Sequence, residues 1–176
     1  MRQLLVLFIV LLVCSCGSAD KNEQSKNIFR YNESAGIQSF DPAFAKDQAR
    51  IWFCNQVYNS LVQLDANLQV KPSISKSWEV SENGLTYDFT LRSDVKFHAP
   101  INRSLRVEDV HYSLNRLRAE ETASPGAWVL TSVDTIIALN DSVIRFVLQE
   151  PNPAFLGLLS MQYCSILPVE ADTILN

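Results

Sequence analysis

The strict alternation of Leu85-Thr86-Tyr87-Asp88-Phe89-Thr90-Leu91 constrains this chain more than any other stretch. A period of two puts Leu85, Tyr87, Phe89 and Leu91 on one face and Thr86, Asp88 and Thr90 on the other. That is a strand with one buried and one wet side. Ser81-Glu82-Asn83-Gly84 before it is a turn, because Asn and Gly tolerate positive φ and the tetrapeptide has no apolar side chain to bury. Val95-Lys96-Phe97 continues the alternation after a break at Arg92-Ser93-Asp94. Val107, Val110, Leu114 and Leu117 then recur at spacings of three and four, the apolar stripe of a helix. Glu108 and Asp109 fall in its first turn, where acid complements the helix dipole.

The flanking chain supplies partners for that strand. Residues 48–61 carry Ile51, Cys54, Val57, Tyr58 and Leu61 at helical spacing, and Trp52 and Phe53 widen the apolar face, so a well-buried helix is expected. Val62-Gln63-Leu64 and Leu68-Gln69-Val70 flank Asp65-Ala66-Asn67 as a hairpin. Residues 72–76 connect to a strand opening at Trp78. Residues 133–139 and 142–148 are two strands around a tight connection at Asn140-Asp141. Pro153 precedes a short apolar helix over 154–161, and residues 166–170 are extended. Near the start, Ile28-Phe29-Arg30-Tyr31 reads as a strand, and Asp41-Pro42 forces a turn because the residue before proline avoids the helical region. The fold class is α+β, a mostly antiparallel sheet with helices packed on it, and no internal repeat occurs.

The first residues are not fold. Residues 4–13 are an apolar run behind Met1-Arg2-Gln3, about 15 Å long as a helix and roughly half a bilayer core. That is the core of a signal peptide covering residues 1–15 rather than a membrane span. Val13-Cys14-Ser15-Cys16 resembles a bacterial lipobox, with a small residue directly before Cys16. The implied chemistry is lipidation of the Cys16 thiol and cleavage before it, and several acyl chains anchor stably where one does not. An ordinary secreted protein with Cys16 left as a thiol is the alternative. Residues 16–27 are polar, a tether unable to bury a core.

Several chemistries lack their residues. The net charge is −4 with no Lys/Arg cluster, which argues against a nucleic-acid partner. His98 and His111 are the only histidines; Glu108 and His111 are three apart on one helix, but such a pair without further ligands reads as a solvated face, so no metal and no cofactor is expected. No nucleophile elbow, phosphate-cradling glycine loop or zinc-protease motif is present, so the chain is not expected to be an enzyme. Trp52, Trp78 and Trp128 are stacking platforms or core residues, with core favoured for each. Cys54 and Cys164 read as two buried thiols, with a disulfide left open.

Trp78, Gly84-Leu85-Thr86-Tyr87, Phe89, Leu91-Arg92, Val95-Lys96-Phe97-His98, Glu108-Asp109-Val110 and Tyr112-Ser113-Leu114 together resemble the signature of the family 5 solute-binding proteins. Asp41-Pro42, residues 57–62, residues 123–128 and Pro151 extend the match over nearly all of residues 28–170. Two departures stand out: Ala99-Pro100 where the family has glycine, and Arg106 where it has a Ser or Thr cap. Arg106 offers no acceptor to the helix N–H groups, so Ser104 or Asp109 would have to serve.

The resemblance implies a type II periplasmic-binding-protein-like fold and the substrate-binding component of an ABC importer. Such a protein captures peptides or similar solutes (nickel chelates and oligosaccharides among them) outside the cytoplasmic membrane and hands them to a permease. It would be periplasm-facing and held to a membrane by its lipid. The implied domains are residues 28–44 as a first visit to a large lobe, 45–165 as a small α+β domain, and 166–176 as the start of the return. The family's chains are several times longer, so an N-terminal fragment is expected. The loop after the first strand would border the ligand cleft, making Asn32, Glu33, Ser34 and Ser39 the candidate cleft residues. The competing reading is a structural or interaction lipoprotein of the envelope without a small-molecule ligand.

Overall fold

The computed structural model describes residues 29–34, 36–171 and 173. The expected signal peptide over 1–15, the lipidation site expected at Cys16 and the expected tether over 16–27 lie outside the described residues. The chain divides between Asn32 and Glu33. Residues 29–32 carry no regular element, so the expected strand over 28–31 is not formed. Strand-like composition does not make a strand; that takes a neighbour's N–H and C=O groups in a ladder.

The second unit is built on a four-stranded antiparallel sheet. Its elements in chain order are α1 (Gln48–Val57), β1 (Val62–Leu64), β2 (Val70–Pro72), β3 (Ser75–Val80), β4 (Thr86–Leu91), α2 (Val107–Arg118), β5 (Val133–Asn140), β6 (Val143–Leu148) and α3 (Phe155–Leu158). The sheet order is β3-β4-β6-β5, and β1 and β2 form a separate hairpin. The alternation fixes the register. Phe89 stands opposite Trp78 on one side and Ile144 on the other, while Asp88 stands opposite Glu79 and Arg145. Tyr87, Phe89 and Leu91 are buried with Ile144, Phe146 and Leu148, and α2 lays Val107, Val110, Leu114 and Leu117 into the same core. Four rings interlock there: Phe89 with Phe146 at 5.4 Å, Phe146 with Phe155 at 5.5 Å, and Tyr87 with Phe155 at 4.9 Å between centroids. Edge-on ring pairs of this kind add to what burial alone contributes. On the outer face Arg145 makes a two-pronged pair with Asp88, at 2.7 and 2.6 Å.

The turns follow their residues. Gly84 adopts φ +69, the left-handed conformation its turn needs. Arg106 takes the N-cap position of α2, and its backbone N–H donates to the Asp109 carboxylate at 2.8 Å. Asp109 thus supplies the acidic half of a capping box, by accepting the N–H of the N-cap residue.

Four expectations change. Val95-Lys96-Phe97 is no strand; only an isolated bridge joins Lys96 to Ser104. The helix expected over 48–61 stops at Val57, because residues 59–61 serve as a junction: the Asn59 carbonyl accepts from Ile166 N–H, and the Ser60 and Leu61 carbonyls accept from Ile74, Ser73 and Ser75. Those long-range bonds override local helical spacing. Nor is α1 well buried, since only Ala49, Arg50 and Cys54 are inside while Trp52 is 52% exposed. Its large residues lie round the whole cylinder, so no single apolar face is buried. The helix over 154–161 shrinks to the four residues of α3. The hairpin holds, with a longer loop that places Leu64 opposite Val70.

Of the tryptophans, Trp78 is half-buried against Phe89 at 6.3 Å, as a core reading expects. Trp128 is 52% exposed, because its neighbours Val129 and Leu130 fill the core positions of the 3-10 turn Ala127–Leu130. Cys54 and Cys164 are free buried thiols. Burial pushes Cys54 up to about 11 and Cys164 up to about 12, so neither is a reactive thiolate.

Candidate functional site

The candidate cleft residues lie on a loop whose foot is firmly seated. Asn32 and Ser34 are exposed, and Glu33 and Ser39 half-buried. The Glu33 carbonyl accepts from Gly36 N–H at 3.3 Å, closing a reverse turn. The Ser39 hydroxyl accepts from Asp41 N–H at 3.2 Å, so it shapes the turn into Pro42. Ser39 also borders a recess of about 430 Å³ with Gln38, Phe44, Lys46 and Arg50. Arg50 is paired with Asp47 and holds that carboxyl below its usual range. Glu33 and Ser34 are not among the residues that line this recess.

Sequence reasoning missed the residues that seat the loop. Asp41, 7% exposed, accepts both guanidinium prongs of Arg116, at 3.1 and 2.5 Å, and the N–H of Ala43 at 2.9 Å. The Tyr58 hydroxyl donates to the Phe40 carbonyl at 2.9 Å, and the Phe40 and Phe53 rings stand 4.9 Å apart. The Ser124 hydroxyl donates to the Ala43 carbonyl at 2.5 Å. Its neighbour Gly126 must be glycine, since a Cβ there would fall 2.3 Å from the Tyr163 ring. Asp41 was legible as the residue before a proline and as part of the family resemblance; its charge partner is 75 positions away and invisible to local pattern.

The opposite end of α2 holds a second segment, residues 167–170, which turns into the 3-10 helix Val169–Ala171 where an extended run over 166–170 was expected. The Asp109 carboxylate, fully buried, takes Val169 N–H at 3.0 Å and both prongs of Arg103 at 2.8 and 2.7 Å. Arg103 reaches on to Glu170 at 3.0 and 2.6 Å and lowers that carboxyl's pKa. Ser113 takes Leu167 N–H at 2.8 Å and donates to the Leu167 carbonyl at 3.1 Å. One helix therefore fixes residues 41–43 near its C-terminus and residues 167–170 near its N-terminus. Buried carboxylates with charge-assisted bonds to every oxygen hold backbone tightly, and removing one partner is costly. Among the described residues no cluster of three metal-ligating side chains occurs, and no helix is long and apolar enough to cross a membrane.

This architecture is the fold of the type II periplasmic binding proteins. The DppA periplasmic binding protein of Helicobacter pylori, solved with the peptide STSA, superposes on 78% of this chain with TM-score 0.69 and 31% identity, the match covering 30% of that chain. The model of the bacterial extracellular solute-binding proteins, family 5 (middle region), matches residues 69–174, more than half of the sequence; the chain belongs to that family. Heme-binding protein A of Haemophilus influenzae is 29% identical over 92% of this chain and 33% of its own length. Di/tripeptide-binding protein 2 of Pseudomonas aeruginosa is 29% identical over 93% and 34% respectively. The chain thus spans about a third of the length of the curated relatives it matches.

Proposed function

We propose that this chain belongs to the substrate-binding component of an ABC importer that captures small peptides outside the cytoplasmic membrane and delivers them to the permease. The observation that carries the reading is the likeness to the H. pylori protein seen with a bound peptide, shared over 78% of this chain. In this reading residues 28–44 enter a larger lobe, 45–165 form the small domain, and 166–176 begin the return. The loop carrying Asn32, Glu33, Ser34 and Ser39 forms one margin of the cleft, and the pairs at either end of α2 keep both crossings in register with the small domain. The role is capture and not catalysis. Cys16 carries the lipid that keeps the protein at a membrane surface.

Uptake tests the reading. Disrupting the gene should abolish import of labelled di- and tripeptides while leaving import of a nickel–histidine complex and of heme intact. Unchanged peptide uptake, with loss of one of the others, would overturn the choice of solute. Labelled fatty acid should mark the wild type and not Cys16→Ala; label that instead disappears in Cys14→Ala would refute the anchor.

A further inference from the structure

A second cavity has a lining that shares no residue with the recess at Ser39. It encloses about 220 Å³ between the loop over residues 95–105 and the segment over 166–171, and Ile74, Phe97, Leu105 and Ile166 contribute to its apolar wall. The wall is preformed. Phe97 N–H donates to the Arg103 carbonyl at 2.9 Å and Leu105 N–H to the Val95 carbonyl at 3.0 Å. The Arg103 guanidinium lies over the Phe97 ring at 5.2 Å while bonded to Asp109 and Glu170. The far side is held by the Asp109 and Ser113 bonds to residues 167–169.

The charge on the lining is one-sided. The chain carries 19 acidic residues and a net charge of −4, yet among the described residues no Asp or Glu lines this cavity. Lys96 and His98 do, and both are solvent-exposed. An apolar chamber with a few convergent polar groups is the usual form of a small-molecule site. Here the ionic side chains among the described lining residues are an ammonium and an imidazole, and neither opposes an anion.

We propose that this cavity binds a medium-chain alkyl carboxylate, its chain inside and its carboxylate at Lys96. At roughly 30 Å³ per water-sized unit the chamber admits about seven such units, so an acid of about six to eight carbons fills it. The alkyl chain supplies the driving force, and the Lys96 ammonium selects acid over alcohol or amine. The proposal does not depend on the peptide-import reading, because the lining residues it uses all lie within residues 57–171.

Calorimetric titration of the lipid-free protein with octanoate tests it, with octanol, octylammonium and acetate as comparisons. Octanoate should saturate with a Kd of about 1 mM or tighter. Octanol should bind about tenfold more weakly, and octylammonium and acetate should not saturate. Lys96→Ala should raise the octanoate Kd about tenfold and Lys96→Arg should restore it, since one charge-assisted contact is about a factor of ten. Leu105→Trp, checked for an unchanged circular-dichroism spectrum, should abolish binding by filling the chamber. Equal binding of octanoate and octylammonium, indifference to Lys96→Ala, binding that survives Leu105→Trp, or no saturation by octanoate would each overturn the proposal.

Discussion

The sheet and helix α1 use apolar residues in opposite ways. In β4 and β6 the burial pattern alternates residue by residue, and each inward side chain meets another across the ladder. In α1 the large side chains surround the cylinder, and the helix touches its neighbours through Ala49, Arg50 and Cys54 while Trp52 faces outward. The sheet is held by periodic apolar faces, even across its central β4–β6 pairing of residues 57 positions apart, whereas α1 and the loop before it are seated by single polar contacts: Asp41 to Arg116, Tyr58 to Phe40, Ser124 to Ala43. An apolar residue thus predicts burial only where its periodicity matches a face that something covers.

The sharpest way to break this contrast is to truncate one aromatic on each side of it. Phe89 is fully buried at the centre of the ring cluster, so Phe89→Ala should cost about 3–5 kcal/mol in a urea titration. Next in size is the buried carboxylate of α2. Asp109→Asn keeps the shape but loses the charge that binds Arg103, so about 2–3 kcal/mol of stability should disappear. A smaller effect belongs to Asp88, half-buried on the outer sheet face. The Arg145 guanidinium holds its carboxyl below the ordinary 3.8. The pair's contribution is therefore complete above pH 3.8 and is lost as the pH falls through the lowered value. Asp88→Asn should flatten that acid limb of the stability profile and leave the region near pH 7 little changed, because a pair this exposed is screened. Smallest of all, Trp52→Ala should change stability by no more than about 0.5 kcal/mol. If Trp52→Ala and Phe89→Ala cost the same, the contrast between sheet and α1 fails.

The same contrast explains what was legible in the sequence. The strand at 85–91, helix α2 and the β5–β6 hairpin were readable because their information is periodic and local. Asp109 was readable as a candidate capping partner for Arg106, since the two sit three apart. Its larger task, holding Arg103 and Val169 N–H, depends on residues that only folding brings together. The early end of α1 and the exposure of Trp128 escaped for the same reason: a carbonyl claimed by Ile166 and core positions taken by Val129 and Leu130 leave no local trace. Of the loop residues, Ser39 has a definite structural task, and its signal was the Asp-Pro turn that follows it.

Helix α2 is the post to which residues 41–43 and 167–170 are both fixed. Amide hydrogen exchange of the 176-residue protein measures this directly. Ala43 N–H and Val169 N–H, each bonded to a buried carboxylate, should exchange as slowly as the central amides of β4 and β6. In Asp109→Asn, Val169 should speed up by about ten- to a hundredfold while Ala43 and the sheet stay protected. Rapid exchange of both amides in the wild-type protein, at the rate of the loop over residues 33–40, would contradict the account.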